Sequence, residues 1–300
     1  MFGVTRSAFY KAEEMTGQDN LKEALVIGEV RKIRETQPYP GTEKVYHMIK
    51  PFLKAHGIKM GRDKLDKLLN KYGLQSKRKR RRAYQTNSMH RFFKYPNLTK
   101  ELVLNRANQL WSSDITYIHR FNGFSYLSLI TDAYSHLIVG WHLSKDLTTI
   151  GPLRALEMAL LNRRKNKMQK LQLIHHSDRG IQYCSHAYVN LLKKREVKIS
   201  MAMSSYDNPI AERLNGILKT ELLQDGYPTH EEALEAVAEA IRIYNEERPH
   251  RSVDMMTPVK AHKMMGPMPK QWRKNNRREK SSKKSQKSQH DQNVKSVELF

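Results

Sequence analysis

The sequence contains almost no cysteine and no long uninterrupted apolar run. Cys184 is the single cysteine among 300 residues, which excludes a disulfide framework and a cysteine-based zinc site and suits a reducing compartment. The N-terminal segment MFGVTRSAFYKAEE has no apolar stretch of the kind that a secretory signal needs. The longest apolar region, 124–143, is interrupted by Asp132 and His136, so we expect that it does not span a membrane.

Acidic residues are also scarce relative to basic ones. Lys and Arg number 54 against 30 Asp and Glu, so the formal net charge is +24. Such an excess attracts polyanions through counterion release and indicates a nucleic acid as partner. Charge alone leaves open a structural basic protein, such as a ribosomal one, and a merely solvated surface. A chain of 300 residues has room for one large domain and smaller ones.

The region 1–75 has the apolar spacing of three helices. A first helix ends at a break of proline and glycine at 37–41, a second follows from Thr42, and a third ends at Gly73. Thr42 is expected to cap the second helix, and Pro51 should kink it or end it early. The residues expected on the buried faces are Leu21, Leu25, Ile33, Val45, Met48, Ile49, Phe52, Leu53, Leu65, Leu68, Leu69 and Tyr72.

Two of these helices, around a turn that contains glycine, resemble a helix-turn-helix unit that binds DNA. The alternative is a small helical hairpin that contacts another protein. DNA contact is favoured because a run of basic residues follows at once, within a linker at 76–104. Such a run is solvated by default, and binding to backbone phosphate is its more specific function. The run consists of Lys77, Arg78, Lys79, Arg80, Arg81 and Arg82.

From about Asn105 the pattern changes from helical to sheet-like. Asn122 and Gly123 form a strong hairpin signal between two runs rich in β-branched and aromatic residues. The expected strands are 111–118, 124–131, 137–142, 171–175 and 197–201, and the expected helices are 152–164, 186–195, 209–223 and one from about 229. An antiparallel meander followed by alternating helices and strands predicts an α/β domain with a mixed five-stranded sheet over 105–265.

Three carboxylates stand where a strand or a helix start would hold them rigidly. Asp114 lies in WSSDITYI, Asp178 in HHSDRG and Glu212 in DNPIAERLNGILKTE. Mg²⁺ prefers oxygen ligands in octahedral geometry and is usually held by one or two carboxylates plus substrate phosphate. Two such ions activate an attacking oxygen and stabilise a leaving one in a phosphoryl displacement. In so basic a chain, the expected phosphate is that of a nucleic-acid backbone.

Most residues near these acids have a structural explanation. On a helical wheel Glu212, Asn215 and Lys219 share one sector, opposite the apolar residues that should pack on the sheet. A carboxylate beside a lysine is usually an ordinary pair on a helix surface. The residues assigned structural roles are Asp132, expected to cap the turn 133–135, His175 and His176, expected to pack or to support the metal ligands, and Asp207 and Asn208, expected to cap the helix of Glu212. Asp132 as a metal ligand and Asn208 as a DNA contact stay open as alternatives. Arg248 either packs on the core or contacts a phosphate.

Five segments in order carry a resemblance to a known family: WSSDITYI, LITDAYSHLIVGW, HSDRGIQYCS, SYDNPIAERLNGILKTEL and IYNEERPHRS. Together they resemble the integrase-core transposases of bacterial insertion sequences, in particular the IS-three (OrfB) type. The likeness extends from near Pro40 to about Ala261. It implies a ribonuclease-H-like integrase core preceded by an all-α helix-turn-helix region. It also implies metal-dependent DNA strand cleavage and strand transfer at the ends of the element.

The resemblance implies roles for individual residues. Asp114, Asp178 and Glu212 match the catalytic acids, which would bind two Mg²⁺ ions, with Mn²⁺ as a substitute. Lys219 matches a basic residue that contacts the terminal nucleotides of the element. The spacing between the second and third acids (212 − 178 = 34) is about two residues shorter than is usual in the family, in a loop at 204–205 where deletions are tolerated.

Partners and a reaction route are also implied by the resemblance. The DNA partners would be the terminal inverted repeats and target DNA, bound by a homo-oligomer of a cytoplasmic, nucleoid-associated bacterial protein. In the implied copy-out route, one end attacks beside the other and a circular form follows. The opening FGVTRSAFY resembles the start of the downstream part of a frameshift fusion, so we expect an upstream-frame helix-turn-helix protein to be fused to this chain or to act with it.

Two other classes of function stay open on the sequence. One is a metal-dependent nuclease that cuts without joining, and the other is a catalytically silent DNA-binding protein. The tail at 266–300 is poor in apolar residues and rich in Lys, Ser and Gln, so it is expected to be disordered and to bind DNA without specificity.

Overall fold

The computed structural model describes residues 5–76, 91–165, 171–203 and 207–268. The basic run Lys77–Arg82, the loop residues 204–205 and nearly all of the predicted tail lie outside these ranges. Helices α1 to α3 are Arg6–Thr36, Thr42–Ala55 and Arg62–Lys71, and strands β1 to β5 are Leu110–Arg120, Gly123–Asp132, Ile138–Ser144, Ile174–Ser177 and Lys198–Met201. Helices α4 to α9 are Ile150–Lys165, Ile181–Cys184, His186–Lys194, Pro209–Ile217, His230–Glu246 and Pro258–Ala261. A π-helical turn, Leu218–Leu222, directly continues α7, and a 3₁₀ helix covers Arg251–Val253.

Helices α1 to α3 form an N-terminal three-helix unit with an apolar core of its own. The buried residues of this core are Val26, Ile27, Val30, Val45, Ile49, Leu53, Ile58, Leu65, Leu68 and Leu69. The predicted apolar face of α2 is confirmed, and so is that of α3 except for Tyr72, which is exposed. The prediction for α1 is wrong at Leu21 and Leu25, which are 65% and 43% exposed. The face that packs is set by the partner helices, and it uses the i, i+4 and i+7 positions of Val26, Val30 and Ile33.

The ends of these helices agree only in part with the prediction. Gly41 and not Thr42 occupies the cap of α2, and the Thr42 hydroxyl donates instead to Asp66 Oδ1 on α3 at 2.6 Å. The early end predicted at Pro51 is wrong, because α2 continues to Ala55. Pro51 is exposed, so water can satisfy the carbonyl that has lost its donor. Gly73 follows α3 with a φ of 64°, as expected for a glycine that ends a helix.

The sheet has five strands in the order β3-β2-β1-β4-β5. Strand β2 pairs antiparallel with both β1 and β3, whereas β4 pairs parallel with both β1 and β5. The predicted α/β class, the meander and the mixed five-stranded sheet are therefore confirmed. In the hairpin between β1 and β2, Arg120 pairs with Gly123. The turn is therefore Phe121-Asn122, one residue earlier than the predicted pair.

Helices cover both faces of the sheet. One apolar cluster joins Trp111 of β1 and Ile130 of β2 to α4 and α6. A second cluster joins Ile118 of β1 and Leu127 of β2 to α7, the π-helical turn and α8. Since strand residues alternate between faces, Asp114, four residues before Ile118, belongs to the face that α7 covers. No helix in the described parts of the chain is long and apolar enough to cross a membrane.

Candidate active site

Pairing of two parallel strands brings Asp114 and Asp178 to the same level. Strands β1 and β4 pair Ser112 with His176, and each aspartate lies two residues further along the chain. A step of two along β1 keeps Asp114 on the face that α7 covers, because side chains alternate along a strand. Asp178 directly follows β4 and lies within electrostatic range of Asp114. Paired strands lie about 4.8 Å apart, so these distant positions in the sequence become neighbours in the fold.

Helix α7 brings Glu212 to the same place, because asparagines on both sides of it hold the helix onto β1. Asn208 Nδ2 donates to the carbonyl of Ser113 at 3.0 Å. Asn215 Nδ2 donates to Asp114 Oδ2 at 2.6 Å. Glu212 precedes Asn215 by three residues, close to one helical turn, so the two side chains share a face of α7.

The carboxyl group of Asp114 has a raised pKa. Burial raises the pKa of Asp114 to about 7, and the negative charges of Asp178 and Glu212 act in the same direction. Hydrogen bonds from the Ile115 N–H, at 2.9 Å, and from Asn215 act in the opposite direction because they stabilise the charged form. A carboxylate whose pKa is raised by two others lies where a cation would relieve electrostatic repulsion.

The oxygen donors at this site are those that a hard divalent cation prefers. Besides the three acids there is Asn215 Oδ1, which is buried and has no hydrogen-bond partner among the described residues. No group of three or more His, Cys, Asp or Glu side chains in the described ranges is spaced to hold a metal ion. Both oxygens of Asp114 already accept hydrogen bonds, and like charges repel.

A glycine shapes the turn that presents Asp178 at the end of β4. Asp178 Oδ1 accepts a hydrogen bond from the Gly180 N–H at 2.9 Å. A Cβ atom at position 180 would lie 2.9 Å from that same oxygen. A side chain there would displace the carboxylate, so glycine is the residue that lets the turn close on Asp178.

Histidines pack beneath the site, as predicted. His175 is 1% exposed, and its Nε2 lies 2.6 Å from the Ser113 hydroxyl and 2.9 Å from the Tyr188 hydroxyl. Burial lowers the pKa of His175 to about 3, so the ring is neutral. His176 Nδ1 lies 2.8 Å from the Ser200 hydroxyl. His175 thus joins β4 to β1 and α6, and His176 joins β4 to β5.

Of the residues expected to form caps, Asp132 is confirmed and the side chain of Asn208 is not. Asp132 Oδ1 accepts from the N–H and the hydroxyl of Ser135, both at 2.8 Å, as the predicted turn cap. Asn208 occupies the cap position of α7, but its side chain makes no capping hydrogen bond and binds β1 instead. Asp207 Oδ2 accepts from the N–H of Met203 at 2.8 Å. The prediction that the Asn208 side chain caps α7 is therefore wrong, because that side chain binds the sheet.

The two basic residues singled out individually lie in different environments. Burial lowers the pKa of Lys219, and the charge of Asp114 raises it, so the ammonium group lies within electrostatic range of the site. Arg248 is 2% exposed, and its Nε and Nη2 donate to the two carboxylate oxygens of Glu221 at 3.0 and 2.9 Å. Packing, the first of the two interpretations of Arg248, describes its place in this structure, and contact with a phosphate stays a prediction.

The sheet order and the placement of the acids define the class of protein. An antiparallel meander joined to two parallel strands, with helices on both faces and a carboxylate in the middle of the central strand, is a ribonuclease-H-like integrase core. The family descriptions that match the chain, both "Integrase core domain", cover residues 105–205 and 194–258.

Similar proteins belong to insertion sequences. The chain is 33% identical over 279 residues to the uncharacterized 31 kDa protein of insertion element IS600 from Shigella sonnei, covering 88% of this chain and 98% of that protein. It is 31% identical to the transposase of insertion sequence element IS629 from Shigella sonnei, covering 73% and 74% of the two chains. Identity to the transposase InsF of insertion sequence IS3A from Escherichia coli K12 is also 31%, covering 57% and 59%.

The chain belongs to the IS3 family of insertion-sequence transposases. It is therefore a DDE-type polynucleotidyl transferase, and the chemistry of this family is metal-dependent.

Proposed function

We propose that Asp114, Asp178 and Glu212 are the catalytic acids of this transposase and hold two Mg²⁺ ions, for which Mn²⁺ substitutes. The main support for the proposal is that β1 contacts both β4 and the helix of Glu212. Parallel pairing with β4 sets the two aspartates level, and Asn215 ties the helix of the glutamate to Asp114. The raised pKa of Asp114 supports it further, since burial and two neighbouring carboxylates favour a bound cation there.

In this proposal the protein holds ions and DNA in place for two displacements. When bound, the ions activate the attacking oxygen and stabilise the leaving oxygen of an in-line phosphoryl transfer. Asp114 would hold them from the middle of β1 and Asp178 from the turn that follows β4, and Glu212 would complete the set from α7. Water breaks a phosphodiester bond at the element end and leaves a 3′-hydroxyl. That hydroxyl then attacks a second phosphodiester, whose 3′-oxygen leaves as a new 3′-hydroxyl while the new P–O bond forms, and no step forms a bond to the protein.

The proposed DNA partners are the terminal inverted repeats and target DNA, bound by a homo-oligomer. Helices α2 and α3 would form the helix-turn-helix, and the basic run at 77–82 would bind backbone phosphate without reading sequence. Lys219 follows Glu212 by seven residues, two turns along the same helix face, and we assign it to the terminal nucleotides. The division into 1–75, 76–104, 105–265 and 266–300, the copy-out route and an upstream-frame partner belong to the same proposal.

Replacing Asp178 by asparagine tests this function. The substitution removes one anionic ligand and keeps the size of the side chain, so we expect loss of cleavage and joining of labelled element ends in Mg²⁺ and Mn²⁺, with DNA binding nearly unchanged. The matched control is Asp146→Asn, which changes an exposed carboxylate in the loop after β3 and should keep wild-type activity.

Metal-dependent joining by the Asp178→Asn variant would refute the assignment of the acids. Shortened strands without joined product from the wild-type chain would favour the simple nuclease. Binding without any metal-dependent cleavage would favour a catalytically silent protein.

A further inference from the structure

The N-terminal three-helix unit meets the catalytic domain at Glu221, in the π-helical turn that continues the helix of Glu212. The Lys44 ammonium of α2 donates to both carboxylate oxygens of Glu221, at 3.0 and 3.3 Å. The backbone carbonyl of Glu221 accepts from the N–H of Tyr39, in the connection between α1 and α2, at 3.3 Å. Side chain and backbone of one residue thus both hold the three-helix unit.

Glu221 is itself fixed to the catalytic domain by Arg248. The guanidinium group donates through Nε and Nη2 to the two carboxylate oxygens, a bidentate geometry that sets the direction of the carboxylate. The side chains of Lys44 and Glu221 are only 21% and 17% exposed. Water therefore cannot readily replace either partner of the Lys44–Glu221 pair if the other is removed.

The carboxylate of Glu221 lies between cations of the three-helix unit and cations of the catalytic domain. Burial and then the charge of Arg248 lower the pKa of Lys44, Glu221 raises it, and Arg213 of α7 lowers it further. Arg34 of α1 is also within electrostatic range of Glu221. Without the carboxylate, the cations of the three-helix unit and those of the catalytic domain would repel one another at this contact.

The helix connects this contact directly to the active site. Glu221 lies nine residues after Glu212, in the π-helical turn that directly continues α7. Leu223 N–H donates to the carbonyl of Leu218 at 2.8 Å, the i to i+5 bond that widens this turn. One continuous helical segment therefore carries both the proposed catalytic residue and the residue that binds the three-helix unit.

We propose that Glu221 is a positioning residue: it sets where the three-helix unit lies relative to Glu212 and Lys219, and so which phosphodiester of the element end reaches the catalytic acids. The inference rests on the proposed function, because it requires that the three-helix unit binds the element end and that the acids cleave it. Loosening this contact leaves both parts folded and lets neighbouring phosphodiesters enter the site.

Hydrogen exchange of the Glu221→Gln variant tests the contact without any need for activity. Glutamine keeps the shape and removes the charge, so amides at 37–46 and 218–224 should exchange roughly tenfold faster while those of β1 and β2 are unchanged. The matched control is Glu231→Gln. It removes a Lys145–Glu231 pair of 3.0 Å whose side chains are 62% and 69% exposed, and it should change neither segment. Unchanged exchange in Glu221→Gln would overturn the proposal.

Cleavage of end-labelled element DNA then tests positioning. The wild-type chain should cut at one phosphodiester, and Glu221→Gln should spread the cuts over neighbouring positions with total cleavage within about threefold of wild type. A uniform loss of cleavage with an unchanged cut position would mean a merely structural role and would overturn the inference. Failure of the proposed function looks different: the wild-type chain would not cut, or Asp178→Asn would still cut.

A chemical crosslink between positions 44 and 221 should restore the contact that the substitutions remove. Lys44→Cys with Glu221→Cys should scatter the cuts, and a short bismaleimide between the new thiols should restore the single position. Cys184 does not compete, because it is 4% exposed and burial raises the pKa of its thiol to about 11. Scattered cuts by the crosslinked protein would contradict the proposal.

Discussion

Replacing Asn215 by alanine is the sharpest test of how the active site is assembled. Its Nδ2 donates at 2.6 Å to Asp114, and hydrogen bonds to charged groups contribute about 1.5–3 kcal/mol. Because 1.36 kcal/mol corresponds to a factor of ten in rate, cleavage should fall roughly 10- to 150-fold if the bond holds α7 in its productive position. The acids themselves remain, so the loss should be partial and not complete.

The assay is single-turnover cleavage of end-labelled element DNA at saturating protein, so that weaker DNA binding does not contribute to the rate. The matched control is Asn162→Ala, which removes a 3.0 Å hydrogen bond to the carbonyl of Val139 on the other face of the sheet. That control should lose about 1 kcal/mol of stability and keep its cleavage rate. Wild-type cleavage by Asn215→Ala, or an equal loss in both variants, would refute the reasoning.

Two further predictions concern stability. A Cβ at Gly140 would overlap the carbonyl of Ala155 and lie 2.8 Å from the Cβ of Ala159, so Gly140→Ala should lower the free energy of unfolding by about 1–3 kcal/mol in urea titrations, whereas Gly28→Ala, with open space in α1, should not lower it. The pKa of buried His175 is about 3 against an ordinary 6.5, so between these two pH values the unfolded chain binds a proton that the native chain does not. Stability should therefore fall as the pH falls, by up to about 1.4 kcal/mol per unit, and His175→Phe should show a shallower pH dependence; equal slopes would contradict this assignment.

Local patterns in the sequence predict much of the fold. The apolar residues of α2 and α3 repeat at helical spacing, and Asp132 precedes a turn whose N–H groups need an acceptor. The strands are predicted because β-branched and aromatic residues cluster between turn signals. The grouping of the three acids follows from the resemblance and from the Mg²⁺ preference for carboxylates, since spacing alone does not show which strands become neighbours.

Contacts between distant side chains could not be predicted in the same way. Helical periodicity placed Asn215 beside Glu212, but only the packing of α7 on β1 shows that its amide binds Asp114. Asparagine is a favoured residue type at a helix N-cap, but the Asn208 side chain binds β1 instead, because tertiary contacts compete with local hydrogen bonds. The burial of Arg248 depends on Glu221, 27 residues earlier in the chain, and a basic residue near a helix end carries no local sign of such a partner.

The most direct test is anomalous diffraction from crystals of the protein with element-end DNA and Mn²⁺. The proposal predicts manganese peaks between Asp114 and Asp178 and beside Glu212, within ligand distance of their carboxylate oxygens. Manganese bound elsewhere, with these three carboxylates unliganded under conditions that support cleavage, would contradict it.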